Sequence, residues 1–145
     1  MRKAEARLQG DAEHPCLKGR ITFTACGAGT LVEAEIRGLP ESETGFFAFH
    51  IHEGGGCGGA GFADTGAHYN PDNLPHPLHR GDLPPLLSVG GRARMTVLTG
   101  RFTPEEVVGR TVVIHSHPDD FHTQPSGGAG TKIACGVIRA CGIYC

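Results

Sequence analysis

Short runs in which apolar and polar side chains take turns recur along this chain, and they decide its fold class. Val32, Ala34 and Ile36 alternate with Glu33, Glu35 and Arg37, and Ile21, Phe23 and Ala25 alternate with Thr22 and Thr24. A period of two places one set on each face of a β-strand, so each run has an apolar face to bury and a polar face to leave wet. The same pattern covers 3-KAEARLQG-10, 45-GFFAFHIH-52, 92-RARMTVLT-99, 110-RTVVIHSH-117 and 131-TKIACGVI-138. Gly, Pro, Asn or Asp bounds each run, which is the punctuation of strands joined by turns. Only 103-TPEEVVG-109 reads as a helical turn, with Thr103 at its N-cap and Pro104 first inside it. The expected class is all-β: a Greek-key sandwich or barrel of about eight antiparallel strands.

At 145 residues the chain is expected to form one domain over its whole length. Its formal charge of −2 comes from acids and bases scattered without blocks, so nucleic acid is not an expected partner. The longest apolar runs, such as Thr111 to Ile114, are far too short to span a membrane. The opening MRKAEARLQGDAEHP lacks the apolar core and cleavage site of a secretory signal, and a cytoplasmic location is expected on that ground. The 23 glycines and 10 prolines stand between runs rather than in blocks, so they read as turns and long ordered loops.

Two segments resist assignment to strands, about 53–87 and about 118–130. Long loops of this kind in compact domains usually carry function. Both begin where a strand bearing histidines ends. The chain has nine histidines, and their placement says more than their number. His50 and His52 project from one face of a strand. His68 follows in 66-GAHYNP-71, then His76, His79 and Asp82 in 76-HPLHRGD-82, then His115, His117 and Asp119 in 115-HSHPDD-120. Imidazole nitrogen suits copper, zinc, iron or nickel, whereas magnesium and calcium want oxygen. The nitrogen-rich set with one well-placed carboxylate favours copper or zinc. His14 and His122 stand apart and read as solvated side chains. Spacing alone leads to a histidine-rich metal site in a β protein, and no further.

The ordered blocks HIHE, GAHYNP, HRGDL, VVIHSHPDD and GTKIACGVI resemble the copper–zinc superoxide dismutases, from about Gly45 to Ile138. What the resemblance implies is specific. His50, His52 and His115 would hold copper together with His68, whose other ring nitrogen would reach zinc. His76, His79 and Asp82 would complete the zinc site. Asp119 would link a copper histidine to a zinc histidine, and Cys57 and Cys135 would form the disulfide that ties the metal loop to the last strand. Lys132 and His68 would serve catalysis, with superoxide as substrate and copper and zinc as cofactors. Since the family includes dimers, a homodimer is one expected state. The runner-up reading is a copper- or zinc-binding protein of the same fold that stores or delivers metal with little turnover.

Three features depart from the family pattern. The spacing from His76 to His79 is compressed, which brings the reach of His79 into question. The loop after Asp120 is short. Lys132 stands where the family has an arginine, keeping the charge but losing a planar fork of donors. The tail 140-ACGIYC-145 has no counterpart and reads as a solvent-facing extension, with Cys141 and Cys145 open to metal binding or thiol exchange. Cys16 and Cys26 read as small, partly buried side chains.

Overall fold

The computed structural model describes residues 2–142, so the expectation for Cys145 lies outside the described residues. Seven strands form one curled antiparallel sheet, a half-barrel: β1 (Lys3–Gly10), β2 (Lys18–Cys26), β3 (Gly29–Arg37), β5 (Phe49–His52), β7 (Ala93–Thr99), β8 (Thr111–His115) and β9 (Lys132–Ala140). Their order across the sheet is β5-β8-β9-β1-β2-β3-β7. A separate two-stranded ribbon pairs β4 (Phe46–Phe47) with β6 (Leu86–Leu87). The expected all-β architecture is what forms, although β6 is too short to announce itself in the sequence. The helical turn is present as α1 (Pro104–Val107), with Thr103 at the N-cap position but without a side-chain cap bond. No helix among the described residues is long and apolar enough to cross a membrane.

Alternation sorts the sheet into a core face and a site face. Phe49 pairs with Ile114 and Ile51 with Val112, and all four sit in the apolar core with Phe23, Val32 and Ile138. On the opposite face His50 pairs with Val113 and His52 with Thr111. That face is not wet. Every residue of β5 and β8 is buried, because the long loop lies against it. The loop also covers the free edge of β5: Ile51 N–H donates to Gly81 O, Tyr69 N–H to Ile51 O, and Leu83 N–H to Phe49 O. An edge strand that would otherwise expose unpaired backbone is thereby satisfied.

One irregularity aims a side chain. Ile114 pairs with Ala134, but the next residue, His115, pairs with Lys132, leaving Ile133 as the extra residue of a β-bulge. Regular pairing would put Ile133 opposite His115. The bulge instead sets Lys132 beside it, on the site face. The tail keeps to the sheet at least as far as Cys141, whose N–H donates to Lys3 O. Cys16 and Cys26 are exposed thiols rather than partly buried ones: Cys16 lies in the turn before β2, and Cys26 closes β2 where the core has run out.

Candidate metal centre

Six histidines and two aspartates converge between β5, β8 and the two long loops. His50, His52, His68, His76, His79 and His115 are all buried, as is Asp119. Buried imidazoles in such number are expensive unless something binds them. Ring nitrogens of His50, His52, His68 and His115 lie within 4.8 Å of one another, and a second set of His50, His68, His76 and Asp82 satisfies the same limit. His68 belongs to both.

The second set is tight around the Asp82 carboxylate. Its oxygens stand 2.9 Å from His68 Nδ1, 3.1 Å from His76 Nδ1 and 3.3 Å from His79 Nδ1. His79 Nδ1 is also 3.2 Å from His68 Nδ1. His79 thus turns the same ring nitrogen toward the Asp82 carboxylate as its neighbours do, although the four-residue grouping takes His50 in its place. The short segment is held from outside. Gln124, in the second loop, accepts from His76 N–H at 2.8 Å and donates to His76 O at 2.7 Å. Arg101 donates to Pro77 O at 2.6 Å and to His79 O at 3.1 Å.

Asp119 joins the two sets. One of its oxygens is 2.8 Å from His50 Nε2 and the other 2.8 Å from His76 Nε2, while Phe121 N–H also donates to it. Gly127 lets the second loop close over this carboxylate, since a Cβ there would sit 2.0 Å from Asp119 Oδ1. With Nε2 of both rings committed to Asp119, Nδ1 of each faces inward. Both are buried: His50 Nδ1 has no hydrogen-bond partner, like His68 Nε2 and His115 Nδ1, and His76 Nδ1 meets the Asp82 carboxylate at 3.1 Å without hydrogen-bond geometry. Orphaned buried nitrogens are rare in native proteins, and a cation that accepts imidazole answers them directly. The donor set fits copper and zinc.

Electrostatics favour the metal-binding form. Burial lowers His50 to about 4 despite the upward pull of Asp119, and lowers His52 to about 3 and His115 to about 2. The rings are therefore neutral, as ligands must be. Burial would raise Asp82 and Asp119, but hydrogen bonds from histidines outweigh it and hold both below the usual carboxylate range.

Lys132 stands at the edge of the first set. Its Nζ donates to Thr65 Oγ1 at 2.7 Å and to Gly66 O at 3.1 Å, and its charge helps lower His52 and His115. Gly66 O also accepts from His52 Nδ1 at 2.8 Å. Thr65 and Gly66 close a 3₁₀ segment, η1 (Ala60–Thr65), which the Cys57–Cys135 disulfide anchors to β9. That disulfide is the expected one. His117 takes no part; it is exposed and bonded to Ser116 Oγ. His14 pairs with Asp11 and His122 is exposed. Sequence reasoning missed Gln124, Arg101, Thr65 and Gly66, none of which belongs to a residue type that signals metal.

Fold and site together define a metal-binding β protein with two abutting histidine-rich donor sets. The profile of the copper/zinc superoxide dismutase family matches residues 17–138. A Cu-Zn superoxide dismutase of Aquifex aeolicus is 35% identical over 136 residues, spanning 83% of this chain and 78% of the relative. That of Legionella pneumophila is 35% identical over 133 residues, spanning 86% and 80%. The extracellular Cu-Zn superoxide dismutase of Drosophila melanogaster is 38% identical over 143 residues, spanning 84% and 75%. The crystal structure of a double mutant of a SOD-like protein from Bacillus subtilis matches with a TM-score of 0.79 at 25% identity, covering 94% of this chain and 97% of that one. This chain belongs to the copper/zinc superoxide dismutase family.

Proposed function

We propose that the protein is a copper–zinc superoxide dismutase, converting two superoxide anions and two protons to dioxygen and hydrogen peroxide. The observation that carries this reading is the shared ring of His68, whose Nε2 is buried and unpartnered on one side while its Nδ1 meets Asp82 on the other. In this reading His50, His52, His68 and His115 hold copper, and His68, His76, His79 and Asp82 hold zinc. Copper bound there would supply the one-electron redox couple that dismutation needs, and zinc would order His68, which belongs to both donor sets.

The chain's own residues do the rest. Lys132 places a positive charge beside His115 and His52, where it draws an anion inward and fixes its approach. His68 Nε2 can hold a proton and pass it to the peroxide product, the second proton coming from solvent. Asp119 fixes the tautomers of His50 and His76, and Cys57–Cys135 keeps the loop carrying Thr65 and Gly66 in place.

A storage or delivery role is the second reading, favoured by Lys132, which offers a point charge where the family has a planar fork. Dismutation measured on protein whose copper and zinc have been quantified separates the two. Activity that scales with bound copper and exceeds that of free aqueous copper is expected. Near-stoichiometric copper without such activity would overturn dismutation and leave the storage reading.

A further inference from the structure

Although the chain is acidic overall, it gathers six cations along one groove on the outer face of the sheet. Arg7 of β1, Lys18 and Arg20 of β2, Arg37 of β3, and Arg92 and Arg94 at the start of β7 line it, and all six are exposed. Glu35 is the one acid in the lining. The chain has 13 cations and 15 acids. Taking six cations and one acid for the groove leaves seven cations and fourteen acids elsewhere, so the groove carries +5 against −7 for the remainder. Composition could not reveal this, because four separate segments contribute.

Folding alone does not account for the arrangement. In the strand register Arg7 lies directly across from Arg20, and Lys18 directly across from Arg37. Like charges facing each other across strands destabilise a sheet. Glu5 offsets Arg20 at 2.8 Å and Glu35 offsets Arg94 at 2.9 Å. Lys18, Arg37 and Arg92 have no ion-pair partner among the described residues. An anion laid over Lys18 and Arg37 would relieve what the fold leaves uncompensated.

The groove also has an apolar rim. Leu87 and Val89 line it and are 52% and 75% exposed. Val89 stands at the tight turn through Gly90 and Gly91, which its bridge to Arg92 closes. No aromatic side chain lines the groove, so it has no platform on which nucleic-acid bases could stack. A sulfated polysaccharide would use the cations but leave Leu87 and Val89 without a role.

We propose that this face docks on an anionic phospholipid surface. The cations meet headgroup phosphates, and Leu87 and Val89 enter the boundary with the acyl chains. The histidine centre sits on β5, β8 and the loops, at the other end of the sheet order, and contributes no residue to the groove.

The test is co-sedimentation of the metal-loaded full chain with phosphatidylcholine vesicles, with and without phosphatidylglycerol, at low and physiological salt. Binding only to the anionic vesicles, weakening with salt, is expected. Lys18→Glu should weaken it by about tenfold or more, since each cation near such a surface counts separately. Arg37→Glu is the sharper variant. It turns the Lys18–Arg37 pair into one of opposite charge, so the melting temperature should hold or rise while vesicle binding falls. Val89→Ser should weaken binding to vesicles but leave retention on heparin unchanged. No binding to anionic vesicles, equal binding to neutral ones, or binding indifferent to Arg37→Glu would each overturn the proposal. So would retention on heparin or single-stranded DNA without vesicle binding, which would assign the face to a different polyanion.

Discussion

Replacing Asp119 by asparagine preserves the shape of a buried side chain and changes what one of its atoms can do. In the native protein both oxygens accept, one from His50 Nε2 and one from His76 Nε2, each at 2.8 Å. Both rings therefore carry their proton on Nε2 and keep the lone pair on Nδ1, the nitrogen that makes no hydrogen bond. Asparagine offers one oxygen and one NH₂ group. In either orientation one of the two rings faces N–H donors, must accept at Nε2, and so carries its proton on Nδ1, where a metal should bind. The loss is that of one charge-assisted hydrogen bond and its tautomer, about 1.5–3 kcal/mol. That corresponds to roughly 10- to 100-fold in affinity at one metal, the range for removing a group that braces a ligand. Competition titrations of the metal-free protein against chelators of known affinity measure copper and zinc separately. Far-ultraviolet circular dichroism confirms that the fold survives. If both affinities match the native values, Asp119 does not set the tautomers and the account of the centre is wrong.

Replacing His68 by alanine should deplete both metals in elemental analysis, whereas His50→Ala should chiefly deplete copper; identical copper-only losses would exclude a shared ring. Lys132→Glu should cut the dismutation rate sharply with bound copper unchanged, Lys132→Arg should hold or raise it, and the difference should shrink as salt screens the charge. If all three proteins show the same rate and salt dependence, Lys132 does not meet the substrate. Reducing Cys57–Cys135, which spans 78 residues, should lower stability by about 4–5 kcal/mol in the loop-entropy account, read from denaturant titrations with and without reductant. Metal-free protein should lose stability as pH falls from 6.5 toward about 4, because the unfolded chain takes up protons at His50, His52 and His115 that the folded chain refuses. Thermal melts across that window should show it; a flat profile would mean those rings are not buried in neutral form.

The sheet was legible because period-two alternation is a property of residue types: Phe49, Ile51, Val112 and Ile114 could only face a core. The donor histidines were legible for the same reason, since few roles call for imidazole on a buried strand. What could not be read depends on the backbone. Gln124 and Arg101 act on the carbonyls and N–H groups of the His76–His79 segment, and every residue type carries those groups. The extra residue at Ile133 leaves no trace in the alternation of 131-TKIACGVI-138, yet it decides that Lys132 stands beside His115. The β4–β6 ribbon pairs only two residues per strand, too few for any period to register. Exposure of Cys16 and Cys26 was not legible because residue type says little about burial in a turn or at the last position of a strand.

The carbonyl of Gly66 receives His52 and Lys132 together. Its direction is set by a backbone at φ 66 and ψ −148, a region that essentially only glycine occupies. One oxygen atom thus serves as the common reference for the His52 ring, a proposed metal ligand, and for the Lys132 ammonium, the proposed attractor of substrate. Under the proposed function, metal retention and anion attraction are consequently not independent traits. A change in the 60–66 segment that moves one must move the other, so improvement of either has to come from residues elsewhere in the chain.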